Sequence, residues 1–91
     1  MFKTVDGCPI EYTIHPARHA DSPRMALIHA LSLDASFWDG VVTNLAGNAE
    51  ILTYDCRGHG RSGRAAGAFS AELFARDLAE LLAHVGWQDA I

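Results

Sequence analysis

Tyr54-Asp55-Cys56-Arg57-Gly58-His59-Gly60-Arg61-Ser62-Gly63 is the stretch on which the reading of this chain turns. It follows the apolar run Ile51-Leu52-Thr53, so a glycine- and arginine-rich turn hangs on the end of a β-prone segment. Upstream, Arg24-Met25-Ala26-Leu27-Ile28-His29 gives a second apolar run without polar alternation, the pattern of a strand covered on both faces in a parallel sheet. A helix is predicted between the two. Ser36 can cap it, Asp39 three residues later completes a capping-box-like pair, and Trp38, Val41, Val42 and Leu45 fall at i, i+3, i+4 and i+7. Gly47 is placed to end that helix. Strand, helix and strand in this order predict a parallel crossover with its strands at Met25–Ile28 and Ile51–Tyr54.

Outward from this unit, Phe2-Lys3-Thr4-Val5, the turn signal Asp6-Gly7, and Ile10, Tyr12 and Ile14 alternating with Glu11 and Thr13 predict an N-terminal hairpin. Pro16 and Pro23 bracket a polar loop. Beyond the glycine-rich turn, Ser70 is a cap, and Phe74, Leu78, Leu81, Leu82 and Val85 form one apolar helical face. Glu72 and Arg76 are spaced for an exposed ion pair on the other side. Gly86 stops the helix, and Ala90-Ile91 reads as the opening of a further buried strand. Two residues do not make a stable strand, so the C-terminus is expected to fall inside an element.

Composition narrows the function classes. The chain has 91 residues, 49% of them hydrophobic and 20% charged, as in an ordinary globular protein and unlike a disordered one. A formal charge of −4, with Lys3 and six arginines as the only basic side chains, argues against a nucleic-acid partner. Cys8 and Cys56 stand far apart in no metal-binding spacing, which predicts two reduced thiols in a cytoplasmic protein. No apolar segment approaches the length of a membrane span, so no membrane partner is expected.

Several constellations admit more than one chemistry. Gly58-x-Gly60-x-x-Gly63 satisfies the dinucleotide fingerprint, yet the next helix starts only near Ser70 and the acid at a suitable distance, Asp77, lies in mid-helix. Arg57, Arg61 and Arg64 could form an anion site; the preferred reading is a solvated turn with one arginine tied to nearby carbonyls. His29, His59, Asp55 and Cys56 lack a second closely spaced ligand pair, so no metal and no cofactor are expected. Trp38 belongs to the core, while Phe37 faces the space above the strand ends. No Gly-x-Ser-x-Gly occurs, and Ser32, Ser36, Ser62 and Ser70 lack the strand-to-helix context of a nucleophile.

Leu27-Ile28-His29-Ala30-Leu31, then Ser36-Phe37-Trp38-Asp39, then Tyr54-Asp55-x-Arg57-Gly58-His59-Gly60-Arg61-Ser62 resemble the N-terminal part of the α/β-hydrolase superfamily in order and spacing. Leu31-x-x-Asp34-x-x-x-Trp38-Asp39 is most similar to the enol-lactonase branch. The resemblance implies an α/β fold over 1–91 as one incomplete core domain: hairpin strands one and two, then strand-helix-strand-helix in a mostly parallel sheet, then the start of strand five. It implies a serine-type hydrolase of small carboxylic esters or lactones whose nucleophile, acid and catalytic histidine lie outside this chain. The backbone N–H of Leu31 would be one oxyanion-hole donor, with His29, Ala30 and Phe37 lining the pocket. Asp55, Arg57, Gly58, His59, Gly60 and Ser62 would form a structural turn. Ala30 stands where many members have glycine, which restricts the backbone beside that donor. In the family's strand order the third strand lies between the fourth and fifth, so an apolar edge with Met25, Leu27 and Ile28 would be open to self-association or to a C-terminal portion. A non-catalytic interaction module using that edge is the alternative from another class, and a small nucleotide- or anion-binding module is a third.

Overall fold

The computed structural model describes residues 1–30, 33–63 and 70–90. Strand β1 (Phe2–Lys3) pairs antiparallel with β2 (Pro9–Ile10), and β3 (Tyr12–His15), β4 (Arg24–Leu27) and β5 (Glu50–Tyr54) form a three-stranded sheet in the order β3-β5-β4. That sheet is mixed: β3 runs antiparallel to β5, with Tyr12 opposite Tyr54, and β4 runs parallel to it, with Leu27 opposite Thr53. Helix α1 (Asp39–Asn44) connects β4 to β5, and α2 (Ala71–Val85) follows β5. The expected crossover is thus present, with each of its strands starting one residue earlier than the apolar runs implied.

The central strand divides its side chains between two layers, as the two-residue period of a strand dictates. Leu52 and Tyr54 pack with Cys8, Ile10, Leu81 and Trp87 against the α2 side, joined by Phe74, Leu78, Leu82 and Val85 of the predicted helical face. Ile51 packs with Leu27 and Ala49 against the α1 side, where Trp38, Val42 and Leu45 complete the contact. Each fully buried Leu or Ile contributes about 1.5–3 kcal/mol, so β5 is the element both layers share. The predicted cap of α2 forms, with Ser70 Oγ accepting from Leu73 N–H at 3.1 Å. At its other end Gly86 adopts the left-handed conformation, and Gly86 N–H to Ala83 C=O (3.2 Å) and Trp87 N–H to Leu82 C=O (2.9 Å) close a Schellman-type turn.

Four local expectations are corrected. The helix before β5 is capped by Asp34, whose Oδ1 accepts from Ser36 N–H at 2.9 Å, and it opens as a 3-10 turn over Ala35–Trp38 before becoming α-helical. An aspartate two residues earlier outcompetes Ser36 because its carboxylate carries a full charge to the free N–H groups. Val41 is exposed, since a six-residue helix offers too narrow a face to bury it. The N-terminal ladder is shorter than a full hairpin: after Ile10 the chain leaves β1 and continues as β3 beside β5. Arg76 meets Glu80 at 3.9 Å and Asp6 at 4.0 Å instead of Glu72.

A charged cluster fixes the N-terminal segment to the body. Arg57 is only 1% exposed. Its Nε and Nη2 donate to the two oxygens of Asp77 at 2.7 Å, and Nη1 and Nη2 donate to Asp6 at 3.0 Å. The sequence reading of a solvated turn with an arginine tied to carbonyls is therefore corrected: this guanidinium is buried and its partners are carboxylates. Arg57, and after it the Thr4 hydroxyl, hold the Asp6 carboxyl well below the usual carboxylate range. Asp77, followed by Asp6, keeps Arg57 firmly charged.

Removing one partner of a buried ion pair leaves an uncompensated charge and costs about 3–5 kcal/mol. Arg57→Met should lose stability on that scale in urea unfolding, and Arg57→Met with Asp77→Leu should lose less. Asp6 is depressed in the folded state, so its contribution is present above about pH 4 and is lost as pH falls further. Unfolding midpoints measured from pH 6 to pH 2 should therefore decline less steeply in Asp6→Asn than in the native sequence.

Candidate functional site

The C-terminal ends of the parallel strands β4 and β5 open on one side of the sheet, where ligands bind in open α/β folds. The turn after β5 is shaped by Asp55. Its Oδ1 accepts from Ala35 N–H at 2.7 Å and its Oδ2 from Arg61 N–H at 2.8 Å, so one carboxylate joins the loop after β4 to the turn after β5. Ser62 closes the turn from behind, with Oγ donating to Asp55 C=O at 2.5 Å and accepting from Glu11 N–H at 2.9 Å. That hydroxyl is fully used in structure, which explains the serine chemically without any nucleophilic role. Gly58 N–H to Gly63 C=O at 2.7 Å ties the two ends of the turn together.

The glycine spacing follows from contacts. Gly60 has φ +48°, and a Cβ there would stand 2.5 Å from the Asp55 carboxylate. A Cβ at Gly63 would stand 2.4 Å from Pro9 Cγ. The motif is thus a loop drawn tightly round a carboxylate and against β2.

His29 and His59 face each other across the strand ends with ring centroids 5.1 Å apart. His29 is buried; its Nε2 accepts from Cys56 N–H at 2.9 Å, and its Nδ1 pairs with Ala30 C=O at 2.8 Å. His59 Nδ1 pairs with Arg57 C=O at 3.0 Å. Both rings line a cleft of about 350 Å³ whose remaining walls are mainly Ile28, Tyr54, Cys56, Phe74 and Leu78. Burial pushes the Cys56 thiol up, and likewise the thiol of Cys8, so neither is set up as a thiolate. A second, polar cleft of about 310 Å³ lies on the α1 side, lined among others by His15, Asp34, Asp39, Thr53, Asp55 and Arg61.

Of the residues singled out from the sequence, His29 and His59 lie on the apolar cleft, and Asp55, Arg57, Gly58, Gly60 and Ser62 build the turn after β5, from which Asp55 and Gly60 line the polar cleft. Ala30 is exposed, and Phe37 is 57% exposed with its ring edge-on to Trp38 at 5.1 Å; neither is among the residues that line the two clefts. Leu31, Ser32, Arg64 and Ile91 lie outside the described residues. Sequence reading missed Asp77 as the partner of Arg57. The signal was there, since Asp77 lies between Phe74 and Leu81 on the apolar face of α2, where an acid needs a buried cation.

With this geometry established, comparison with known proteins identifies the frame. The model of the alpha/beta hydrolase family matches residues 25–90. The chain belongs to that family. An enol-lactonase structure from Burkholderia xenovorans superposes with a TM-score of 0.78 at 31% identity, covering 85% of this chain and 30% of that one. A hydrolase from Pseudomonas aeruginosa gives 0.83 at 28% identity, covering 93% and 31%. Over 56 residues the chain is 41% identical to a protein of Azorhizobium caulinodans that carries the provisional name carbamate hydrolase RutD, covering 62% of this chain and 21% of that protein. The chain thus spans about a fifth of the length of the curated relatives it matches and about a third of the solved structures.

Gly60→Ala tests the turn. A non-glycine residue held in the left-handed region costs about 1–3 kcal/mol, and displacement of Asp55 adds to it. The urea midpoint should drop accordingly, and a change within about 0.5 kcal/mol of the native value would contradict the contact.

Proposed function

We propose that this chain is the scaffold-bearing N-terminal part of a serine-type hydrolase acting on small carboxylic esters or lactones, in the manner of an enol-lactonase. The observation that carries the reading is the turn built round Asp55, which joins the loops after β4 and β5 at the wall of the polar cleft, in a chain of the alpha/beta hydrolase family. Acyl transfer builds negative charge on a carbonyl oxygen, and a fixed backbone N–H aimed at it lowers the barrier by roughly 2.7–4 kcal/mol. In this reading Leu31 N–H is one such donor, and the second belongs to the residue after a nucleophile that the continuation of the chain supplies. His29 and His59 wall the acyl pocket and do no proton transfer. The protein works in the cytoplasm without metal or cofactor.

The edge strand β4 fits the same reading. Its only partner among the described strands is β5, and Ile28 beyond it is 48% exposed. A fifth strand from the rest of the hydrolase would pair there and cover it, and without that strand the same edge would join copies of this chain to one another.

The complete reading frame should hydrolyse p-nitrophenyl acetate and an enol-lactone and lose that activity to a serine-directed phosphonate. Residues 1–91 alone should show no turnover and should oligomerise by light scattering. A monodisperse 91-residue monomer that turned over the ester would overturn the proposal. A complete protein with no turnover, whose 1–91 segment captured a partner through β4, would favour the interaction module.

A further inference from the structure

Strand β3 forms the outer edge of the sheet opposite to β4, and its register shows which of its backbone groups are free. Tyr12 stands opposite Tyr54 and Ile14 opposite Leu52, which places Glu11 opposite Asp55. The Glu11 carbonyl accepts from Asp55 N–H at 3.0 Å, and Glu11 N–H reaches the Asp55 carbonyl through the Ser62 hydroxyl. Hydrogen-bonded pairs alternate along an antiparallel ladder, so Thr13 and His15 also turn their N–H and C=O toward β5. Tyr12 and Ile14 turn theirs outward, where no strand meets them among the described residues. Strand β1 pairs with Pro9 and Ile10 and reaches no further along this edge.

A twofold axis at Thr13 satisfies all of these outward groups at once. Tyr12 then stands opposite Ile14 of a second copy and exchanges both hydrogen bonds with it, and the symmetry repeats the exchange. The side chains agree with that register. An aromatic ring meets a β-branched chain at Tyr12 and Ile14, Thr13 meets its own copy, and the Glu11 carboxylate meets the His15 imidazole, all pair types that stabilise neighbouring strands. Glu11 has no cation within ion-pair distance among the described residues, so its carboxylate is available. The neighbouring registers fail. Centring the axis on Tyr12 would call on Ile10, which β1 already occupies, and centring it on Ile14 would set Tyr12 against Pro16, which has no N–H to give. We propose that β3 is a self-complementary docking edge, to which a second copy of this chain adds antiparallel across a twofold axis at Thr13.

Cysteine pairs read this register in the complete reading frame. Thr13 is exposed, and across the axis its Cα would lie about 4.5 Å from that of its copy, so Thr13→Cys should form a disulfide-linked dimer under mild oxidation. Ile14→Cys should not, because the two copies of position 14 are displaced along the strands to roughly 8 Å, beyond the reach of a disulfide. The native thiols Cys8 and Cys56 are buried and do not compete. Ile14→Pro removes an outward N–H and leaves the ladder to β5 whole, so adding it to Thr13→Cys should abolish the linked dimer. A Thr13→Cys protein that stays monomeric on oxidation, an Ile14→Cys protein that links as readily, or a linked dimer that survives Ile14→Pro would each overturn the proposal. Where Ile14→Pro prevents folding, the contrast between the two cysteine variants still decides. Copies joined through β4 keep their Thr13 positions apart on the far side of β5, so that association is told from this one, and ester turnover has no part in the readout.

Discussion

The buried guanidinium of Arg57 is the constraint on which the rest of this structure depends. Its two carboxylate partners come from opposite ends of the chain, Asp6 in the turn between β1 and β2 and Asp77 in the middle of α2. Desolvating an arginine costs several kcal/mol, and only full pairing offsets it. The chain therefore cannot place the turn after β5 without also placing the N-terminal ladder and the second helix. That requirement orients the turn, and the turn in turn presents Asp55 and His59 to the strand ends.

Two kinds of order meet there. Apolar burial on both faces of β5 fixes the layers but is indifferent to small rotations of a loop. Directional bonds remove that indifference: Asp55 to Ala35 and Arg61, Ser62 to Glu11, and His29 to Cys56 each cross from one segment to another. The result is a rigid floor at the strand ends, lined by histidine rings above and aliphatic side chains to one side. A site of this kind gains its chemistry from groups placed over the floor, and its precision from the floor itself.

The fold was legible in the sequence wherever apolar periodicity ran for several residues. Met25 to Ile28, Ile51 to Tyr54 and the Phe74 to Val85 face each led to an element of the right type, because burial of those side chains dominates their local energetics. What escaped was polar and long-range. Asp34 took the cap expected of Ser36, Arg76 turned from Glu72 to Glu80, and Asp77 proved to be the partner of Arg57, choices that depend on which groups tertiary packing brings together. The candidate site was legible as a motif, since the spacing of Asp55, Gly60 and Ser62 encodes the turn. The linking hydrogen bonds of His29 were not, because nothing in a linear pattern tells a ring that lines a pocket from one that bridges two loops.

The hydrogen bond from Val5 N–H to Glu80 and the pairing of Asp6 with Arg57 join groups 75 and 51 positions apart. Closing such distances is slow compared with forming a local helix. The β1–β2 pairing itself is local, but its docking onto the body is long-range, and until it docks Arg57 lacks one of its two carboxylate partners. The segment around Val5 and Asp6 is thus held by contacts that no local folding step can supply.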